Sequence, residues 1–142
     1  MYRKLIRSPY SCSQYSKFLK GVLDTDGAVL WHCTLGKDRC GWGSVLIETV
    51  LGVNKEDIIE DYLYTNDCLK DELVKYFEKK NITPSMAKQN SLMTAVVEAR
   101  TEYIMAAFDE VEKLYGSMDA YLKEGLGIDD TMIARFREKY LA

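Results

Sequence analysis

Apolar residues recur at helical spacing along most of the 142-residue chain. Ser8-Pro9 pairs a capping hydroxyl with a residue whose φ is already set for a helix. Tyr15, Phe18, Leu19, Val22 and Leu23 follow as one apolar stripe, which predicts a helix of about four turns. The turn residues of 24–27, DTDG, end it. The next five residues, AVLWH at 28–32, form a short apolar run bounded by turn signals and read as a strand. From Gly41 the stretch GWGSVLIETVLG is apolar on nearly every side, as suits a helix buried in a core, and Gly52 supplies its stop. Asn54 and Asp57 make a capping pair for a helix through about Leu63, and Asn66 is placed to cap another through about Lys79. A longer helix from about Ala99 carries Ile104, Ala107, Phe108, Val111, Leu114 and Tyr115 at helical spacing and closes at Gly116. Ser117 and Asp129 can each cap one further short helix. Segment 81–98 is the poorest in regular pattern and is a candidate lid. The expected fold is a single domain over residues 1–142, mostly helical, with six to seven helices and one short central strand.

Composition narrows the functional classes. With 22 acidic and 19 basic residues the net charge is −3, so the chain has no bulk nucleic-acid footprint, and any anion site must be local. No uninterrupted apolar run approaches a membrane span, and the basic N-terminal stretch has no apolar core of signal-peptide length, which points to a soluble cytoplasmic protein. In that compartment Cys12, Cys33, Cys40 and Cys68 are expected as reduced thiols. Sulfur is therefore available for chemistry.

The candidate chemistry lies where the strand meets the buried helix, in WHCTLGKDRCGW at 31–42. A strand-to-helix loop aims several backbone N–H groups at one spot, and the helix dipole adds partial positive charge there. A cysteine at the entrance, Cys33, is pushed toward thiolate by the same field. Arg39, six positions on, offers a planar fork for two oxygens of a phosphoryl group. The five residues between them, Thr34, Leu35, Gly36, Lys37 and Asp38, can wrap amides round one tetrahedral anion, with Gly36 allowing the left-handed backbone that the wrap needs. Cys33 attacks phosphorus and Arg39 holds the charge in this reading.

Rival motifs fit less well. Gly36-Lys37 has Trp31 where a nucleotide P-loop needs its first glycine, and Asp38 where it needs a metal-binding hydroxyl. Gly41 and Gly43 lack the third glycine of a dinucleotide site. His32 and Cys33, adjacent on a strand, face opposite sides and give no zinc set, so neither metal nor cofactor is implied. Cys12 and Cys68 read as packing residues, and Tyr62, Tyr64, Tyr103 and Tyr115 as core or rim aromatics.

HCTLGKDR resembles the HCxxGKDR signature of the bacterial tyrosine phosphatase-like family, whose members act on phosphotyrosine and phosphoinositides, and the likeness extends over nearly the whole chain. The resemblance implies an α/β fold of the cysteine-dependent phosphatase type and metal-free phosphomonoester hydrolysis through a phosphocysteine. Its substrate would be a phosphorylated protein, a phosphoinositide or a small phosphomonoester. It makes Cys33 the nucleophile, Arg39 the phosphate-binding arginine, residues 34–39 the amide cradle, Lys37 a lysine for polyanionic headgroups and Asp38 a general acid. His32 becomes a hydrogen-bond partner of the loop. Two departures follow. The family's threonine after the arginine is Cys40 here, a weaker donor to a leaving thiolate, or else a resolving thiol for an oxidised Cys33. Family members also carry an N-terminal portion with most of the sheet, so the strand at 28–32 is expected to need partners, as a fragment, a short homologue or a homo-oligomer. The alternative to an enzyme is a catalytically silent phosphate-binding remnant.

Overall fold

The computed structural model describes residues 1–79, 81–83, 86 and 97–141. The described elements are helical throughout: α1 (Tyr2–Arg7), α2 (Pro9–Asp24), α3 (Arg39–Leu51), α4 (Lys55–Lys79), α5 (Thr101–Tyr115), α6 (Met118–Ala120), which runs on into a π-helical turn at Tyr121–Gly125, and α7 (Asp130–Leu141). Most of segment 81–98, the candidate lid, lies outside the described residues.

The buried helix at the centre is α3. Trp42, Val45, Leu46 and Val50 are all buried, and they meet Leu19, Ile104, Phe108, Tyr121 and Phe136 in one core. Such burial from several sides explains why its sequence shows no polar face. Gly41 lets α4 come close, since a side chain there would stand 3.1 Å from the Tyr62 ring. Helix α7 closes the far end. Arg137 Nε donates to the Val50 carbonyl at 2.9 Å, and Lys139 Nζ donates to the Leu23 carbonyl at 2.8 Å, which supplies partners for the last carbonyls of α3 and α2. The expected caps are in place: Ser11 N–H donates to Ser8 Oγ, Asp57 N–H to Asn54 Oδ1, Ala120 N–H to Ser117 Oγ and Met132 N–H to Asp129 Oδ1.

Two expectations are corrected. Residues 28–32 do not form a strand: among the described residues no backbone hydrogen bond joins them to another segment, and Leu30 is 90% exposed. A strand exists only through its ladder, and this one has no described neighbour to pair with. Asn66 does not start a helix either, because α4 runs unbroken from Lys55 to Lys79. The Asn66 side chain is used across the fold. Its Oδ1 accepts from Ala99 N–H at 2.8 Å and its Nδ2 donates to the Ala99 carbonyl at 2.9 Å. That double bond to a distant backbone removes the amide from competition with its own helix.

The N-terminal helix α1 has no signature in the pattern of apolar positions. Six residues are too few for a periodic signal. It is fixed by the fork of Arg7, which reaches Glu110 of α5 at 2.5 and 2.9 Å, and this pairing carries Tyr2 to the loop before α3.

Candidate active site

The loop between α2 and α3 gathers its groups around Cys33. Gly36 takes the left-handed φ of +74° that the wrap requires. Arg39 opens α3, and its Nη2 donates to Thr34 Oγ1 at 3.1 Å, so the exposed guanidinium lies back across the loop. Its carbonyl accepts from the Tyr15 hydroxyl at 3.1 Å. Burial opposes ionisation of the Cys33 thiol. The backbone N–H of Cys40, the Cys40 thiol and the backbone N–H groups of Leu35 and Gly36 all donate toward it and outweigh that effect, and the Cys33 pKa is lowered. Cys40 moves the other way: burial and its hydrogen bond to Cys33 push it up to about 11, so it remains a thiol that donates. All four cysteines are free. Cys12 is buried as a packing residue would be, whereas Cys68 is exposed.

The remaining loop residues divide between surface and interior. His32 is exposed, with Nδ1 3.4 Å from the Cys33 carbonyl oxygen. Lys37 is only 2% exposed. Its ammonium donates to the Glu98 carbonyl at 3.1 Å, lies 3.4 Å from Asp38 Oδ1 and stands over the Tyr103 ring. Asp38 is part-buried and accepts from the Tyr2 hydroxyl at 2.6 Å, and Tyr2 in turn meets Tyr62 Oη at 2.5 Å. These tyrosine partners come from 36 and 24 positions away in sequence, beyond any local pattern. Beside the loop a cleft of about 340 Å³ is walled by Tyr10, Tyr15, Phe18 and Trp31 and reaches Arg39 and Cys40. Among the described residues no group of histidine, cysteine and acidic side chains could hold a metal, and no helix is long and apolar enough to cross a membrane.

A second feature behind the loop escaped the sequence. Glu48 of α3 and Asp61 of α4 face one small cavity of about 50 Å³ that also reaches Gly36 and Gly41. Burial first, and then the Asp61 carboxylate, push the Glu48 carboxyl from 4.5 up to about 8, so at neutral pH it is protonated and donates to Asp61. In the unfolded chain it ionises near its ordinary value. The stability it contributes is therefore complete below pH 4.5 and is lost as pH rises toward 8. For a half-buried group this is worth about 1–2 kcal/mol. Glu48→Gln, which keeps an uncharged donor, is expected to flatten the fall in melting temperature between those pH values. An equally steep fall in the variant would count against the pair.

The site is thus a loop of amides and one guanidinium around a cysteine, at the head of a buried helix. Residues 1–142 match the tyrosine phosphatase family over their full length, and the chain belongs to that family. It is 32% identical over 116 residues to a candidate tyrosine-protein phosphatase of Cupriavidus necator, an alignment covering 80% of this chain and 40% of that protein. It is 30% identical over 117 residues to the triple specificity protein phosphatase PtpB of Mycobacterium tuberculosis, covering 77% of this chain and 42% of that one. A shorter match, 51% over 45 residues, joins it to a tyrosine-protein phosphatase of Nostoc commune, covering 32% of this chain and 15% of the relative. The chain spans about two fifths of the length of the first two relatives.

Proposed function

We propose that the chain carries the phosphate-binding and nucleophilic half of a cysteine-dependent phosphatase. Cys33 attacks the phosphorus of a phosphomonoester, the alcohol or phenol leaves, and water then hydrolyses the phosphocysteine. The observation that carries this reading is the closed loop itself, turned at Gly36 with a φ of +74° and tied by Arg39 Nη2 to Thr34 Oγ1 at 3.1 Å, with Cys33 at its entrance and its pKa lowered. Such a loop favours thiolate in the resting protein, and its donors can stabilise equatorial oxygens as charge develops.

The aromatic cleft that reaches Arg39 supports an aryl phosphate such as phosphotyrosine. A phosphoinositide preference would draw on Lys37, and its ammonium is directed to Glu98 and Asp38. Asp38 Oδ1 accepts from the Tyr2 hydroxyl, so a general-acid role for Asp38 would fall to its other oxygen, Oδ2. In the α/β reading, residues 28–32 pair as a strand only where a backbone partner completes the ladder, such as a second copy of the chain. Turnover of an aryl phosphate by the purified protein, with size measured in solution, tests both points. Thermal stabilisation by inorganic phosphate without turnover would favour the alternative, a phosphate-binding module without catalysis.

Cys40 adds a redox reading, because its thiol donates to Cys33. Hydrogen peroxide converts the Cys33 thiolate to a sulfenic acid, and Cys40 then displaces water from it to form a disulfide. Mild peroxide treatment followed by peptide mass spectrometry is expected to find a Cys33–Cys40 bridge, and folded protein without one refutes this role.

A further inference from the structure

The proposed chemistry needs the amides in the first turn of α3 to be available to an anion, yet the residue preceding α3 is an aspartate. Asp at a helix N-cap ordinarily turns its carboxylate onto the N–H groups two and three residues on, here those of Cys40 and Gly41. Asp38 makes no such bond: its backbone stands in the helical region (φ −86°, ψ −67°) and not in the extended one from which a capping side chain reaches back. Its Oδ1 is instead held by the Tyr2 hydroxyl at 2.6 Å, with Lys37 Nζ 3.4 Å away.

We propose that Tyr2 is a positioning residue of the phosphate loop: with Lys37, it holds the Asp38 carboxylate off the first turn of α3 and leaves those amides to the Cys33 thiolate and the bound phosphoryl group. The inference rests on the phosphatase reading of the loop. A carboxylate that swung back would take the donors that Cys33 needs and would set a negative charge beside thiolate and phosphate. Tyr2 is built to prevent this. It is buried, its ring stacks on Tyr103 at 5.8 Å and meets Tyr62 edge-on at 6.2 Å, and its helix is pinned by Arg7 to Glu110. Burial, and then the hydrogen bond to Asp38, raise the Tyr2 phenol far above its usual range, so it remains a donor at all physiological pH. The Cys40 N–H that Asp38 leaves vacant is among the groups that donate to Cys33.

The test is the pH dependence of Cys33 alkylation by iodoacetamide, followed by mass spectrometry of the Cys33 peptide with exposed Cys68 as the reference thiol. Tyr2→Phe should slow Cys33 alkylation several-fold at mildly acidic pH and weaken stabilisation by inorganic phosphate. Adding Asp38→Ala should restore both, because the intruding carboxylate is gone; a purely structural role for Tyr2 predicts no such rescue. An unchanged Cys33 in folded Tyr2→Phe, or a double variant as slow as the single one, overturns the proposal. If Tyr2→Phe does not fold, Asp38→Ala alone decides: alkylation as fast as wild type or faster supports it, and slower alkylation overturns it. A wild-type Cys33 no more reactive than Cys68 removes the phosphatase reading and this proposal together. A reactive Cys33 that Tyr2→Phe leaves unmoved removes only the role of Tyr2.

Discussion

Replacing Cys33 by serine is expected to abolish aryl phosphate turnover, a loss of about four orders of magnitude or more, while the protein stays folded and still binds inorganic phosphate. The loop favours an anion at this position. Burial opposes ionisation of the sulfur, but the influence of the Cys40 N–H and thiol and of the Leu35 and Gly36 N–H groups outweighs it, and the Cys33 pKa is lowered. A serine hydroxyl is not ionised by donors of this strength, so the attacking group is lost although its size is nearly kept. Cys33 is only partly buried and the core is centred on Trp42, Leu46 and Tyr121, so little stability depends on the sulfur. The assay is release of the aryl alcohol, with phosphate binding followed by thermal shift. In wild type, acid quenching during turnover should trap a phosphoryl group on the Cys33 peptide and on no other. Turnover undiminished in the serine variant would remove the nucleophile assignment.

Arg39→Lys should lower kcat by about two to three orders of magnitude, with a smaller effect on the melting temperature. The guanidinium does two things that an ammonium cannot do together. It reaches Thr34 Oγ1 at 3.1 Å, closing the loop on itself, and it still has donors for the phosphoryl oxygens. Lysine keeps the charge but presents a point rather than a fork, so two oxygens cannot be held in fixed orientation while charge shifts onto them. Comparison with Arg39→Ala separates charge from geometry: if lysine restores most of the activity that alanine removes, the fork is not what matters. Weakened phosphate stabilisation in both variants would locate part of the loss in binding rather than in the chemical step.

The geometry of the loop was legible because it is local. Cys33, Gly36 and Arg39 lie within seven consecutive residues, and the left-handed turn at Gly36 and the caps at Ser8, Asn54, Ser117 and Asp129 each follow from a residue and its near neighbours. The apolar face of α5 and the all-round burial of α3 were legible for the same reason, since periodicity reports which sides of a helix are covered. The features that escaped depend on partners far along the chain. Asn66 looks like a cap until its amide is seen bonded to Ala99, and residues 28–32 look like a strand although a strand is a property of two segments.

The same division runs through the site. The sequence by itself determined that a cysteine and an arginine share one tight loop at the head of a buried helix, because spacing and glycine set the path of the backbone there. Only the tertiary structure decided where the loop's other charges point. Lys37 turns inward because the Glu98 carbonyl and Tyr103 are packed beneath it, and Asp38 turns toward Tyr2 because Arg7 and Glu110 dock α1 against α5. Side-chain direction at such positions is settled by which buried polar group would otherwise lack a partner, and that depends on every element packed around the loop.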